Sequence, residues 1–178
     1  LMAEPILNPA MAALRRIKNQ ESRIKKTAVV LLSAKGKQFN QRMAYDWSKR
    51  YRHLILISGR YEGMDERVKA MIHDSGFMIQ EISIGPYVLT DGDVAAMAVI
   101  SAVSRLIPGV IKLESLQEES HWNLLLKREA KSDRRGLEYP HYTRPEILRW
   151  KKKSYKVPKV LLSGNHEKIS SWRREHRQ

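Results

Sequence analysis

Two short apolar runs, His53 to Ile57 and Phe77 to Ile84, each open into a glycine-bearing loop followed by a helical pattern. No other feature of the chain constrains its fold as tightly. The first loop reads Gly59-Arg60-Tyr61-Glu62-Gly63-Met64-Asp65-Glu66-Arg67; the second reads Ser83-Ile84-Gly85-Pro86-Tyr87-Val88-Leu89-Thr90-Asp91-Gly92-Asp93. Strands alternating with helices predict an α/β fold with a mostly parallel sheet and flanking helices. In such a sheet, loops leaving the carboxyl ends of the strands gather at one edge, where glycines let backbone amides and carbonyls approach a small molecule closely. Two such loops predict a ligand site. The phosphate-loop and dinucleotide glycine patterns are absent, and neither loop has a Lys or Ser at the phosphate-gripping position. A neutral or cationic adenosine ligand therefore fits better than a nucleotide phosphate.

The remaining elements follow from caps and periodicity. Asn8 and Pro9 predict a helix opening there and running to about Lys18, with Asn as cap and Pro at the first helical position. Thr27 to Leu32 reads as a buried strand, Ser33 to Gln38 as a loop, and Asn40 as the cap of a helix to about Arg50. Met64 to Ile72 reads as a helix, and Thr90 or Asp91 as the cap of a long apolar helix ending near Ile107, ahead of Pro108. Between Ile111 and Arg135 the period fades and charge takes over, with Lys127, Arg128, Lys131, Arg134 and Arg135 against Glu129 and Asp133. That stretch reads as a basic linker. Beyond it, Tyr139 to Pro145 reads as an extended aromatic-proline segment, Val157 to Leu162 as a short strand, and His166 to Arg177 as a helix with a basic face.

Composition narrows the partner. The 178 residues, 42% of them hydrophobic, suffice for one full domain and a short appendage. Lys and Arg number 33 against 19 Asp and Glu, a net charge of +14, and such an excess on a small domain implies a polyanion. Nucleic acid ranks ahead of a membrane surface, because no basic helix carries a broad apolar face. The absence of cysteine excludes disulfides, thiolate chemistry and cysteine-bound zinc. The mostly apolar run from Val94 to Val103 is too short to cross a bilayer.

The two loops resemble, nearly residue for residue, the S-adenosylmethionine-binding loops of the TrmD-type tRNA (guanine-N1)-methyltransferases, a family of the knotted SPOUT class. The likeness continues, in order, through Ser104-Arg105-Leu106-Ile107-Pro108-Gly109-Val110, Leu137-Glu138-Tyr139-Pro140-His141-Tyr142-Thr143-Arg144-Pro145-Glu146 and Val160-Leu161-Leu162-Ser163-Gly164-Asn165-His166. It implies a deep trefoil knot in a donor-binding domain over residues 1–111, a linker over 112–136, and the start of a small helical tRNA-binding region over 137–178. It also implies a cytoplasmic homodimer with the site at the interface, a magnesium requirement that nothing in the sequence shows independently, and further structure at both ends of this chain.

Residue by residue, the resemblance maps the donor pocket onto Leu31, Leu32 and Ser33, then Gly59, Tyr61, Glu62 and Gly63, then Ile84, Gly85, Tyr87, Leu89 and Gly92. Ala34, Pro86 and Asp91 stand where the family has a proline, an acidic residue and a glycine. Methylating guanine at N1 requires removal of a proton, and negative charge then develops on O6, so a base and a fixed cation are needed. Arg105 matches the family's arginine; read alone, it is a cation at a helix C-terminus. Glu119 stands in the place of the family's aspartate, one residue closer to Arg105, and His121 is a second candidate base. For RNA, Tyr139, His141, Tyr142 and Arg144 offer stacking and a guanidinium, while His166, Arg173 and Arg174 offer further contacts. The readings set against this one are a methyltransferase of the same fold acting on another RNA, such as ribosomal RNA, and a non-catalytic RNA-binding protein.

Overall fold

The computed structural model describes residues 3–18, 26–59, 64–122 and 138–176. The chain divides into two compact units, Leu1–Lys112 and Leu113–Gln178.

The first unit is a three-stranded parallel sheet with helices packed around it. Its elements are α1 (Ala3–Lys18), β1 (Thr27–Gln38), α2 (Gln41–Arg50), β2 (His53–Ile57), α3 (Arg67–Asp74), β3 (Ile79–Ser83) and α4 (Asp93–Ser104). The strand order is β2-β1-β3, and β1 runs parallel to both neighbours, with Leu31 opposite Ile57 on one side and Leu32 opposite Ile82 on the other. Ala28 to Leu32 are all buried, as expected of a central strand covered on both faces. Val29, Leu31, Ile57, Val68, Ile72 and Phe77 join Ala10 and Leu14 of α1 in one core cluster.

Several boundaries move: α3 starts at Arg67 rather than Met64, α4 ends at Ser104 rather than near Ile107, and two larger changes have physical reasons. The first helix begins at Ala3, and Pro9 lies inside it. Ile6 and Leu7, ahead of the proline, pack on the core cluster together with Met11 and Ile17, and that burial outweighs the missing amide donor. Ser33 to Gln38 is strand rather than loop. After a register shift between Leu32 and Lys37, β1 pairs with β3 again at Lys37 with Ile82 and Gln38 with Ser83. Backbone pairing carries this segment, so its polar side chains gave no strand signal. Asn40 caps α2 as expected, its side chain accepting from the Met43 amide at 3.0 Å.

The second unit contains α5 (Leu113–Glu118), a hairpin of β4 (Ile147–Trp150) and β5 (Lys153–Lys156), a 3-10 turn (Lys159–Leu162) and α6 (His166–Glu175). The stretch read as a linker begins with helix α5, and its remainder lies largely outside the described residues. Val157 to Leu162 is not a strand. Pro158 has no amide to give a ladder, and the chain winds into a 3-10 turn instead, with the Leu161 amide on the Pro158 carbonyl at 3.0 Å. Among the described residues no helix is long and apolar enough to cross a membrane.

Candidate functional site

Because β1, β2 and β3 are parallel, their carboxyl ends meet at one edge, and both glycine-bearing loops start there. The backbone joins them directly: the Gly92 amide donates to the Gly59 carbonyl at 2.9 Å. Around this junction lies a cavity of about 710 Å³, a volume in the range of small-molecule and cofactor sites. Leu31, Leu32, Ser33, Gly59, Ile84, Tyr87, Leu89 and Gly92 line it. Tyr61, Glu62 and Gly63 lie outside the described residues.

Gly92 and Gly85 each have a reason in space. A Cβ on Gly92 would stand 3.0 Å from the Ser58 hydroxyl and 3.1 Å from the Gly59 nitrogen, so closure of the two loops needs the bare backbone. Gly85 is buried beneath Tyr87, and a Cβ there would overlap the tyrosine ring, 2.3 Å from Cε1. The Tyr87 hydroxyl reaches back to the Ile84 carbonyl at 3.4 Å. Buried Ser83 shapes the same bend: its hydroxyl donates to the Gly85 carbonyl at 2.7 Å and accepts from the Gly85 amide at 3.2 Å. Gly85 itself is not among the lining residues; it sets the path of those that are.

Asp91, where the family has glycine, takes no left-handed backbone. Its carboxylate accepts from the Asp93 amide at 2.9 Å and so serves the start of α4. The capping position falls to Gly92, rather than to Thr90 or Asp91 as expected.

Sequence reasoning missed the charged wall of the cavity. Glu66 bridges Lys35 and Lys69, each at 2.8 Å, and Lys69 also meets Glu81 at 2.7 Å. These residues come from β1, the start of α3, and β3, so no local spacing announces them. Hydrogen bonds from Lys35 and Lys69 hold the Glu66 carboxyl down to about 2, and those from Arg67 hold Asp65 at about 2. Burial pushes the Glu81 carboxyl up, but hydrogen bonds from Lys69 and Ser33 outweigh it and lower it overall. The cavity thus combines apolar side chains with carboxylates paired to lysines, a lining that suits a largely apolar ligand with a few polar groups, such as an adenosine. Among the described residues no group of three or more His, Cys, Asp or Glu is placed to hold a metal ion.

Arg105 caps the C-terminal end of α4, its amide on the Ser101 carbonyl, and is half-buried. Glu119 belongs to the second unit and is half-buried directly after α5. Its neighbour Ser120 is locked to Glu138: the Ser120 amide donates to Oε1 at 2.9 Å, and the Glu138 amide donates to the Ser120 hydroxyl at 3.2 Å. His141 Nε2 completes the group, 2.8 Å from Glu138 Oε2. The Ser120 amide and then His141 hold the Glu138 carboxyl below its ordinary range. His121 adopts a left-handed backbone, φ 67°, and is exposed.

The aromatic-proline segment packs on α6. Tyr139 is only 8% exposed, with the Arg173 guanidinium over its ring at 4.6 Å and the His141 ring at 4.8 Å. Tyr142 stands edge-on to Trp172 at 6.2 Å. Tyr139, His141, Tyr142, Arg144 and Arg173 line a second, smaller cavity of about 270 Å³. His166 and Arg174 are exposed on α6, and Asn165 caps that helix by accepting from the Lys168 amide at 3.0 Å.

A family model described as tRNA (Guanine-1)-methyltransferase TrmD matches residues 1–178. A protein named tRNA (guanine-N(1)-)-methyltransferase from Dictyoglomus turgidum is 46% identical over 169 residues, covering 94% of this chain and 58% of its own length. Proteins of the same name from Carboxydothermus hydrogenoformans and Malacoplasma penetrans are 49% identical over 147 residues and 43% identical over 169, covering 82% and 95% of this chain and 50% and 63% of their own lengths. The chain thus spans little more than half the length of these curated relatives. With two glycine loops closed on each other by their backbones and a family match running from end to end, the chain belongs to the TrmD family of tRNA (guanine-1)-methyltransferases.

Proposed function

We propose that this protein transfers a methyl group from S-adenosylmethionine to N1 of the guanosine immediately 3′ of a tRNA anticodon. The observation that carries the reading is the hydrogen bond between Gly92 and Gly59, which closes two glycine loops around the cavity at the carboxyl edge of the sheet. Leu31, Leu32, Ile84 and Leu89 would enclose the adenine, and the backbone near Gly59, Gly85 and Gly92 would meet the ribose, with Tyr61, Glu62 and Gly63 completing the pocket. The bound donor supplies a methyl on a sulfonium, already carrying its leaving group.

The chain's own residues handle the proton and the charge. Glu119 accepts the guanine N1 proton, and Arg105 stabilises the negative charge that grows on O6. The lock between Ser120 and Glu138 supports a fixed position for the Glu119 backbone. Tyr142, His141, Arg144, Arg173, Arg174 and His166 contact the RNA, while Tyr139 carries Arg173 on its ring. Residues 1–111 form the donor-binding domain, threaded as the trefoil knot of SPOUT proteins; residues 112–136 link it to the RNA-binding region that begins at 137. The protein works in the cytoplasm as a homodimer. Val94, Met97 and Ile100 support the dimer, since they repeat along one side of α4 and are 55%, 68% and 55% exposed.

Primer extension tests the reading. Incubating the protein with S-adenosylmethionine and an unmodified tRNA transcript is expected to stop reverse transcriptase at the guanosine next to the anticodon. Glu119→Gln and Arg105→Ala are each expected to slow the appearance of that stop by about a hundredfold or more, the scale of a lost general base or oxyanion partner. Wild-type rates in both variants would overturn the assigned roles, and no stop with the wild type would overturn the reaction.

A further inference from the structure

The β4–β5 hairpin lies in the region proposed above to bind RNA, but none of its residues has yet been given a role. Every residue from Ile147 to Lys156 is exposed. Residues facing each other across an antiparallel pair share one side of the ribbon, so the pairs Leu148 with Tyr155 and Trp150 with Lys153 define one face. Trp150 is 66% exposed and Tyr155 53%. The same stretch holds Arg149, Lys151, Lys152, Lys153, Lys156 and Lys159, with Glu146 the one acid from 146 to 159. The turn runs through Lys151 at φ 52°, a left-handed backbone in which glycine or asparagine costs less than lysine. Lys151 places an exposed cation at the tip of the hairpin.

We propose that this hairpin is an RNA-binding arm: Trp150 and Tyr155 form a platform on which unpaired bases of the tRNA substrate stack, and the surrounding lysines and Arg149 neutralise its phosphates. Aromatic rings interspersed with cations are the pattern by which proteins hold single-stranded nucleic acid without reading its sequence. Charge decides in favour of RNA, since the cations lie on the platform face, at the turn and on the opposite face, as a surrounding phosphate chain requires. A membrane surface would need a broader apolar face than Leu148, Trp150 and Tyr155 provide. The proposal rests on tRNA being the substrate.

Filter binding of an unmodified tRNA transcript to the intact protein, across a salt series, tests it. Trp150→Ala with Tyr155→Ala is expected to weaken binding about tenfold or more, the range found when stacked aromatics are replaced. Lys151→Gly removes one cation and relaxes the turn. It is expected to lower the salt slope by about one phosphate contact while leaving the thermal midpoint unchanged or higher. S-adenosylmethionine binding is expected to stay at the wild-type value in all variants. Wild-type affinity and salt slope in these variants, with methylation intact, would overturn the arm and leave the proposed reaction standing; a wild-type protein that neither binds nor methylates tRNA would overturn both. Variants that keep tRNA affinity but lose binding to phosphatidylserine vesicles, or lose self-association, would assign the hairpin to a membrane or to a second copy, and overturn the proposal.

Discussion

Gly85 shows how one missing side chain can set a site. Its Cβ position is occupied by the ring of Tyr87, which is itself half exposed and able to swing outward. Gly85→Ala is therefore expected to leave the fold standing, displace Tyr87 from the cavity wall, and weaken S-adenosylmethionine binding about tenfold, or about 1.4 kcal/mol, as read by calorimetry. Gly92 has no such escape, because its neighbours are the Ser58 side chain and the Gly59 backbone. The charged wall makes a separate prediction. The Glu66 carboxyl lies at about 2 against an ordinary 4.5, so its bonds to Lys35 and Lys69 favour the folded state above pH 4.5. That contribution is lost as pH falls through this window, and because the residue is exposed, salt screens it. Urea denaturation between pH 5 and 2.5 is expected to show a shallower loss of stability in Glu66→Gln than in the wild type, with the difference shrinking in high salt. Asp65 and Arg67 act in the same direction, Asp65 also being held at about 2.

Among the elements, β1 carries the most. Gly36 lies where the strand crosses back onto β3, and a Cβ there would sit 2.5 Å from the Ile82 nitrogen and 2.6 Å from the Glu81 carbonyl carbon. These are backbone atoms with nowhere to go. Gly36→Ala is expected to destabilise the protein by about 1–3 kcal/mol through overpacking, measured by denaturant titration. Ile72→Ala, on the core face of α3 and fully buried, is expected to cost about 2–5 kcal/mol through the cavity it leaves. The sequence made legible those elements whose signal lies in side-chain period or a cap: the buried half of β1, β2 with its closely matching limits, and α2 behind Asn40. It hid elements held by backbone pairing. The polar half of β1 and the β4–β5 hairpin carry no alternation, and the hairpin turns on a lysine where glycine or asparagine would have announced it. In the site, the glycine loops were readable because glycine reports a steric need locally. The Lys35, Glu66, Lys69 and Glu81 network was not, because only the folded sheet brings those positions together.

At the scale of the whole molecule, charge and an uncovered helix face point outward to partners. The net charge of +14 is expected to make tRNA affinity fall steeply with salt. The stripe of Val94, Met97 and Ile100 is expected to close a homodimer, so Met97→Glu should shift the molecular mass in light scattering toward that of one chain, whereas an unchanged mass would assign the face elsewhere. The paired loops at the carboxyl edge of the sheet are expected to seat a methyl donor. Titrating the protein with S-adenosylmethionine, and separately with S-adenosylhomocysteine, in a calorimeter tests it most directly. Saturable binding of both, weakened together by Gly85→Ala, is the expected result; heats that never saturate, or saturable binding indifferent to Gly85, would contradict it.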